Sequence, residues 1–77
     1  MKKPEVGDFI TLQDYPKGLW LLYESGGEIH AFCLRGADGS IMCMPAGPWR
    51  KGIETSIVIT DANLVSKVLL QIYGEGI

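Results

Sequence analysis

Turn-forming residues divide the chain up to Gly52 into short segments, and this spacing constrains the fold more than any other feature of the sequence. Ten glycines and four prolines occur among 77 residues, and no segment between them before Gly52 is as long as a typical helix. The segments themselves are rich in branched and aromatic residues, which favour strands. We therefore predict strands near residues 8–12, 19–24, 28–35, 40–44 and 53–59.

Two of the turns have the composition of β-hairpins. Residues 25–27, Ser-Gly-Gly, predict a tight turn because glycine tolerates positive φ. Asp38-Gly39 between two apolar segments is a strong hairpin signal. For this second hairpin we favour a three-residue loop, residues 37–39, with Gly39 in the left-handed conformation. A two-residue Asp38-Gly39 turn is the alternative.

Two other segments are predicted to lie outside the strands. Gln13–Gly18 combines a proline, a glycine and an aspartate, and we predict a turn there. Pro45–Gly52 contains two prolines and two glycines, from which we predict an irregular loop.

The clearest element is an amphipathic helix near residues 61–73. Thr60 or Asp61 can accept hydrogen bonds from the free amides of its first turn, and Gly74 stands where a left-handed C-cap is expected. Apolar residues recur at helical spacing. They are Leu64, Val65, Val68, Leu69, Ile72 and Tyr73.

The predicted element order is β-β-β-β-β-α within one domain, residues 1–77. This order predicts an α+β fold that is mostly β. Two architectures fit: a strongly bent five-stranded antiparallel sheet, or a small SH3-like barrel, each with one C-terminal amphipathic helix. Residues 6–12 look like the first strand of many such barrels, which is a likeness of shape and implies no shared function.

The two predicted strands that flank the turn at residues 25–27 are apolar on both faces. Leu19–Tyr23 and Ile29–Leu34 lack the alternation of apolar and polar residues that a half-buried strand shows. One helix can cover only one face of a sheet. Either the sheet closes on itself, or its second face contacts another chain.

Composition excludes several classes of partner. The net charge of −2 and the pI of about 5.2 argue against binding to nucleic acid or to an anionic membrane. The first residues lack the apolar segment of a signal peptide, and two cysteines without such a signal predict reduced thiols in the cytoplasm. A core this small is often stabilised by association, which predicts a homodimer or small homo-oligomer.

The residues with reactive side chains form no recognisable catalytic or metal motif. His30 is the only histidine, so we expect no metal, no cofactor and no enzymatic activity. Under the three-residue loop, Cys33 and Cys43 face each other across the hairpin. Under the two-residue turn they lie on opposite faces. We favour two buried structural thiols over a redox pair.

The best binding candidate is the segment Trp49-Arg50-Lys51, which places an aromatic ring beside two cations. The alternative is that Trp49 folds back over the core while both cations are solvated. Trp20 and Tyr23 lie on opposite faces of one strand, so we expect one in the core and the other in a groove or interface. His30, in the neighbouring strand, completes the candidate set.

Three functions fit these observations. The first is a non-catalytic protein-interaction module, homo-oligomeric, that acts as a regulator, adaptor or inhibitor of a larger partner. The second is a binder of a small anionic ligand such as a nucleotide, through Trp49, Arg50 and Lys51. The third is weak binding of single-stranded nucleic acid, which the acidic composition disfavours.

Overall fold

A computed structural model describes residues 3–49 and 55–76, and this part of the chain forms one antiparallel sheet followed by one helix. The elements are β1 (Phe9–Leu12), β2 (Tyr15–Ser25), β3 (Glu28–Arg35), β4 (Ile41–Pro48), β5 (Ser56–Val58) and α1 (Ala62–Gly76). The strand order is β4-β3-β2-β1-β5, and every neighbouring pair is antiparallel. The predicted five-stranded sheet with a C-terminal helix is confirmed.

The sheet is not closed into a barrel, so the open sheet is the one of the two predicted architectures that forms. β4 and β5 lie at its two edges, and within the described residues no ladder joins them. Closure requires each edge strand to pair along its length. β5 has only three residues, and prolines at positions 45 and 48 remove amides from β4.

The predicted turn over Gln13–Gly18 is wrong beyond Asp14. Leu12 pairs with Tyr15, so a two-residue turn connects β1 to β2, and β2 already includes Pro16. A proline near the start of a strand is tolerated because little of the ladder depends on its missing amide.

The predicted loop over Pro45–Gly52 is also wrong as far as Pro48, because β4 continues to that residue. Phe32 pairs with Pro45, and His30 pairs with Pro48. Proline fits this strand because β4 is an edge strand with one neighbour. Residues 50–54 lie outside the described part, and the fifth strand, predicted over residues 53–59, covers Ser56–Val58 within it.

The hairpin between β3 and β4 has the predicted three-residue loop. The Gly36 amide donates to the Ser40 carbonyl at 2.8 Å, and the Gly39 amide donates to the Gly36 carbonyl at 2.9 Å. Gly39 has a φ of 88°, which favours glycine. The Asp38 carboxylate accepts from the Ser40 amide at 2.9 Å and from its hydroxyl at 2.6 Å. These two bonds lower the pKa of Asp38, the hydroxyl contributing most.

Apolar side chains cover both faces of the sheet within one chain. On the face that contacts α1, here called the helix side, Leu19 and Leu34 are buried against Val68. The other face, here called the opposite side, has its own buried cluster of Ile10, Trp20, Leu22, Ala31 and Cys33. Alternation along β2 and β3 separates the two sets. The sheet does not close on itself, so that predicted way of covering the second face is wrong, although the face has a buried cluster of its own. Contact of this face with another chain stays a prediction.

The helix begins where the sequence predicts and ends later. The Asp61 side chain accepts from the Asn63 amide at 2.9 Å, which identifies Asp61 as the N-cap. α1 continues to Gly76, so the prediction that Gly74 is a left-handed C-cap is wrong. Gly74 does not have a positive φ and lies inside the last turns.

α1 contacts the sheet along a narrow line. Val68 is 1 % exposed, and Val65 and Ile72 are half-buried. Leu64, Leu69 and Tyr73 are exposed. Only some residues of the predicted apolar stripe on α1 therefore contact the sheet. The helix is therefore attached through a few side chains centred on Val68.

We predict that Val68→Ala lowers the free energy of unfolding by about 2 kcal/mol, because it removes buried carbon atoms and leaves a cavity. Lys67→Ala, at the adjacent exposed position, should change it by less than about 0.5 kcal/mol. Urea denaturation followed by circular dichroism measures both. Equal effects of the two substitutions would contradict the attachment of α1 through Val68.

Candidate functional site

Trp49 follows β4 and packs on the opposite side of the sheet. Its ring lies 5.7 Å from the ring of Trp20 between centroids, with the planes tilted by 39°. The indole N–H donates to the Ser56 hydroxyl at 2.9 Å, and the backbone amide donates to the Ile29 carbonyl at 2.9 Å. Trp49 is half-buried against the core cluster, so its ring and its N–H both connect the end of β4 to the body of the sheet.

Arg50 and Lys51 lie outside the described residues. The packing of Trp49 agrees with the interpretation in which its ring covers the core. The binding role of the Trp49-Arg50-Lys51 segment stays a prediction.

Trp20 is the core member of the Trp20–Tyr23 pair. It is 7 % exposed, and its six-membered ring lies over Gly18, two residues earlier in β2. A methyl group added at Gly18 would overlap ring atoms Cη2 and Cζ3. This position therefore requires glycine for space, and the Trp20 ring faces protein atoms.

We predict that Gly18→Ala lowers the free energy of unfolding by about 1–3 kcal/mol, because it displaces the Trp20 ring. The matched control is Gly74→Ala, where an added methyl group contacts nothing within 4 Å. In the helix this change should raise the free energy of unfolding by about 0.5–1 kcal/mol. Thermal denaturation monitored by tryptophan fluorescence tests the opposite signs, and a Gly18→Ala protein as stable as the parent would contradict the packing.

Tyr23 and His30 form a cross-strand pair on the helix side of the sheet. They are register partners in β2 and β3, with ring centroids 5.8 Å apart and planes tilted by 44°. Both side chains are half-buried. Tyr23 shares its face with Leu21, whereas Trp20 and Trp49 lie on the opposite side. The predicted binding residues whose positions are described therefore separate into two pairs on two faces and do not form one site.

The two cysteines do not face each other as the three-residue loop alone predicts. Cys33 pairs with Met44, because the register of β3 and β4 shifts after Arg35 and Ile41. Cys43 has a φ of 49°, an uncommon conformation for a residue other than glycine, and lies in this irregularity. The extra residue moves Met44 and Pro45 by one register position, and a second shift between Ala31 and Phe32 moves Gly47 and Pro48 by one more.

The prediction of two buried thiols holds for Cys33 alone. Cys33 is 6 % exposed, whereas Cys43 is exposed. Burial raises the pKa of the Cys33 thiol, and the neighbouring Cys43 raises it further. Since the thiolate is the reactive form, Cys33 should react slowly.

We predict that a maleimide or disulfide reagent modifies Cys43 in a fast phase and Cys33 only as fast as the protein opens. Cys43→Ser should remove the fast phase, and Cys33→Ala should leave it. Stopped-flow or mass-spectrometric labelling of the native protein measures both phases. A fast phase that persists in Cys43→Ser would contradict the burial of Cys33.

Among the described residues, no group of three or more His, Cys, Asp and Glu side chains is placed to hold a metal ion. Within the same part of the chain, no helix is both long and apolar enough to cross a membrane.

α1 carries a surface that the sequence analysis did not single out. The side of the helix away from Val68, here called the outer face of α1, consists of exposed residues. They are Ala62, Asn63, Ser66, Lys67, Leu69, Leu70, Tyr73 and Gly74. Leu70 is 70 % exposed and Tyr73 is 67 % exposed. Leu70 lies outside the predicted apolar stripe. A large apolar residue outside that stripe is the sequence signal that could have identified this surface.

The comparisons with known proteins add no relative to this description. No family model matches the chain, and searches among curated proteins and among solved structures find no similar protein. The function proposed below is therefore argued from the contacts and exposure of this chain's own residues.

Proposed function

We propose that this chain is a non-catalytic protein-interaction module and that the outer face of α1 is its contact surface. The observation that carries the proposal is the exposure of Leu70 and Tyr73, at 70 % and 67 %, on one side of a regular helix. Leu69, at 39 %, lies beside Tyr73 at the border of this side. A cluster of large exposed apolar side chains on a helix is typical of a surface that a protein partner covers.

The edges of the sheet support the helix as the contact surface. An edge strand recruits another chain through free amides and carbonyls. In β4, Pro45 and Pro48 lack amides, and positive φ values at Cys43 and Gly47 interrupt the ladder. β5, at the other edge, is three residues long. Pairing with a partner strand is therefore disfavoured at both edges, whereas the outer face of α1 is regular and uninterrupted.

The distribution of reactive side chains supports a non-catalytic role. Catalysis requires a nucleophile, a base and a stabilising group within hydrogen-bonding reach of one another. His30 contacts the ring of Tyr23 on the helix side, Cys33 is buried on the opposite side, and the Asp38 carboxylate is bound to Ser40 in a loop. In this proposal the chain acts by contact, as a regulator, adaptor or inhibitor.

The proposal predicts that Leu70→Ser with Tyr73→Ser abolishes partner capture. The tagged full chain is used as bait, bound proteins are identified by mass spectrometry, and each candidate is remeasured with purified components. Because interface hot spots each contribute more than about 1 kcal/mol, the double substitution should weaken direct binding at least about tenfold.

The matched control is Val6→Ser with Tyr15→Ser, which alters two large exposed side chains, at 51 % and 49 %, outside α1. This control should bind as the parent does. Circular dichroism confirms that both variants fold. A partner that binds the α1 variant and the parent equally would contradict the assignment of the contact surface.

A further inference from the structure

We infer that β4 is a redox-sensitive strand, in which oxidation joins Cys33 to Cys43 in a disulfide that holds β4 in a second register. The observation that carries the inference is the position of the bulge. It lies between the pair Arg35–Ile41 and the pair Cys33–Met44, so the bulge is what displaces Cys43 from the position opposite Cys33. This device is separate from the contact surface proposed on α1.

The hairpin loop already sets the register in which the two cysteines face each other. The Gly36 amide donates to the Ser40 carbonyl at 2.8 Å, and the pair that follows keeps this register. Continued without the bulge, the same register pairs Cys33 with Cys43 at a non-hydrogen-bonded position. Cα atoms at such positions lie about 4.5 Å apart, within the range of about 4.4–6.8 Å that a disulfide spans.

The second register requires no change at either end of β4. Between the hairpin loop and the pair His30–Pro48, the four residues 31–34 of β3 lie opposite the six residues 42–47 of β4. One of the two extra residues of β4 forms the first bulge, and the other lies next to Gly47. If the first bulge moves past the cysteine pair, both extra residues lie between that pair and Pro48, in a segment that is already irregular.

The contacts of β4 allow this change of register. No residue of β4 is buried, and β3 is its only neighbour among the described strands. A new register therefore removes no β4 side chain from the core and breaks no second ladder. It also releases Cys43 from a φ of 49°, which is unfavourable for a residue other than glycine.

The different exposure of the two thiols sets the order of the reaction. Cys43 is exposed, whereas Cys33 is buried and its pKa is raised, so an oxidant reaches Cys43 first. The charge of Cys43 contributes to the raised pKa of Cys33, which places the two thiols within electrostatic range of each other. Cys33 then resolves the product once the register changes.

A small disulfide such as glutathione disulfide is the oxidant. The Cys43 thiolate attacks one of its sulfur atoms, the sulfur–sulfur bond breaks, and one glutathione thiolate leaves. The Cys33 thiolate then attacks the Cys43 sulfur of this mixed disulfide and displaces the second glutathione. The two cysteines lose two electrons and two protons, and glutathione disulfide takes up both to become two glutathione molecules.

Titration of the purified full chain with mixtures of glutathione disulfide and glutathione tests the bond. After alkylation of the remaining thiols, mass spectrometry should find a mixed disulfide on Cys43 and then a Cys33–Cys43 bond within one chain. Cys33→Ala should stop at the mixed disulfide, and Cys43→Ser should lose the reaction of the native protein. A parent that stops at the mixed disulfide, or that forms disulfides only between chains, overturns the inference.

The matched control is Met44→Cys with Cys43→Ser, which moves the thiol to the position that faces Cys33 in the reduced protein. This variant should form its disulfide at a lower ratio of glutathione disulfide to glutathione than the parent, because it needs no change of register. A disulfide in this variant together with none in the parent would show that the register is fixed, and would overturn the inference.

Nuclear magnetic resonance of the reduced and oxidised parent tests the register itself. On oxidation, Cys33 should exchange its cross-strand contact with Met44 for one with Cys43, whereas His30 should stay opposite Pro48. Circular dichroism should show that the sheet is retained. A disulfide that forms only with loss of the sheet, or one that leaves Met44 opposite Cys33, overturns the inference.

Discussion

The structure depends on the pairing of β2 with β3, because both strands carry apolar side chains on both of their faces. Leu19 and Leu34 are buried on the helix side, and Leu22 and Ala31 on the opposite side. A sheet with two apolar faces must be covered twice. α1 covers one face through Val68, and Trp20 with Trp49 covers the other. Most of the aromatic surface that resembles a binding site in the sequence is thus part of the core.

The narrow attachment of α1 connects the packing of the fold to its proposed function. A helix that docks through Val68 and its neighbours keeps the remainder of its circumference in solvent. A fully polar outer face would be the ordinary solution for such a helix. Leu70 and Tyr73 depart from that pattern, and their exposure leaves apolar area that association would remove from water. In a monomer these side chains would lower the solubility of the protein, because they expose apolar surface to water.

The edges of the sheet explain why association is expected through the helix and not through strands. β4 has no charged residue to discourage pairing with another strand. Two prolines and two residues with positive φ instead make its free edge irregular. The bulge that contains Cys43 also separates the exposed thiol from the buried Cys33 by one register position. Protection of the edge and separation of the thiols thus have a common cause in the irregular course of β4.

The sequence by itself determined the order of the elements, favoured the Gly39 loop and limited the helix cap to Thr60 or Asp61, because these depend on local preferences for φ, on alternation and on hydrogen bonds to nearby amides. It determined neither the continuation of β4 to Pro48 nor the pairing of Cys33 with Met44. A strand tolerates proline when it has one neighbouring strand and not two, and the register of β3 with β4 depends on the bulge in β4. The outer face of α1 also depends on tertiary structure. Helical spacing identifies an apolar stripe on α1 that includes Val68 and Tyr73 but not Leu70. Only the position of the helix on the sheet determines that Val68 is buried while Leu70 and Tyr73 face solvent.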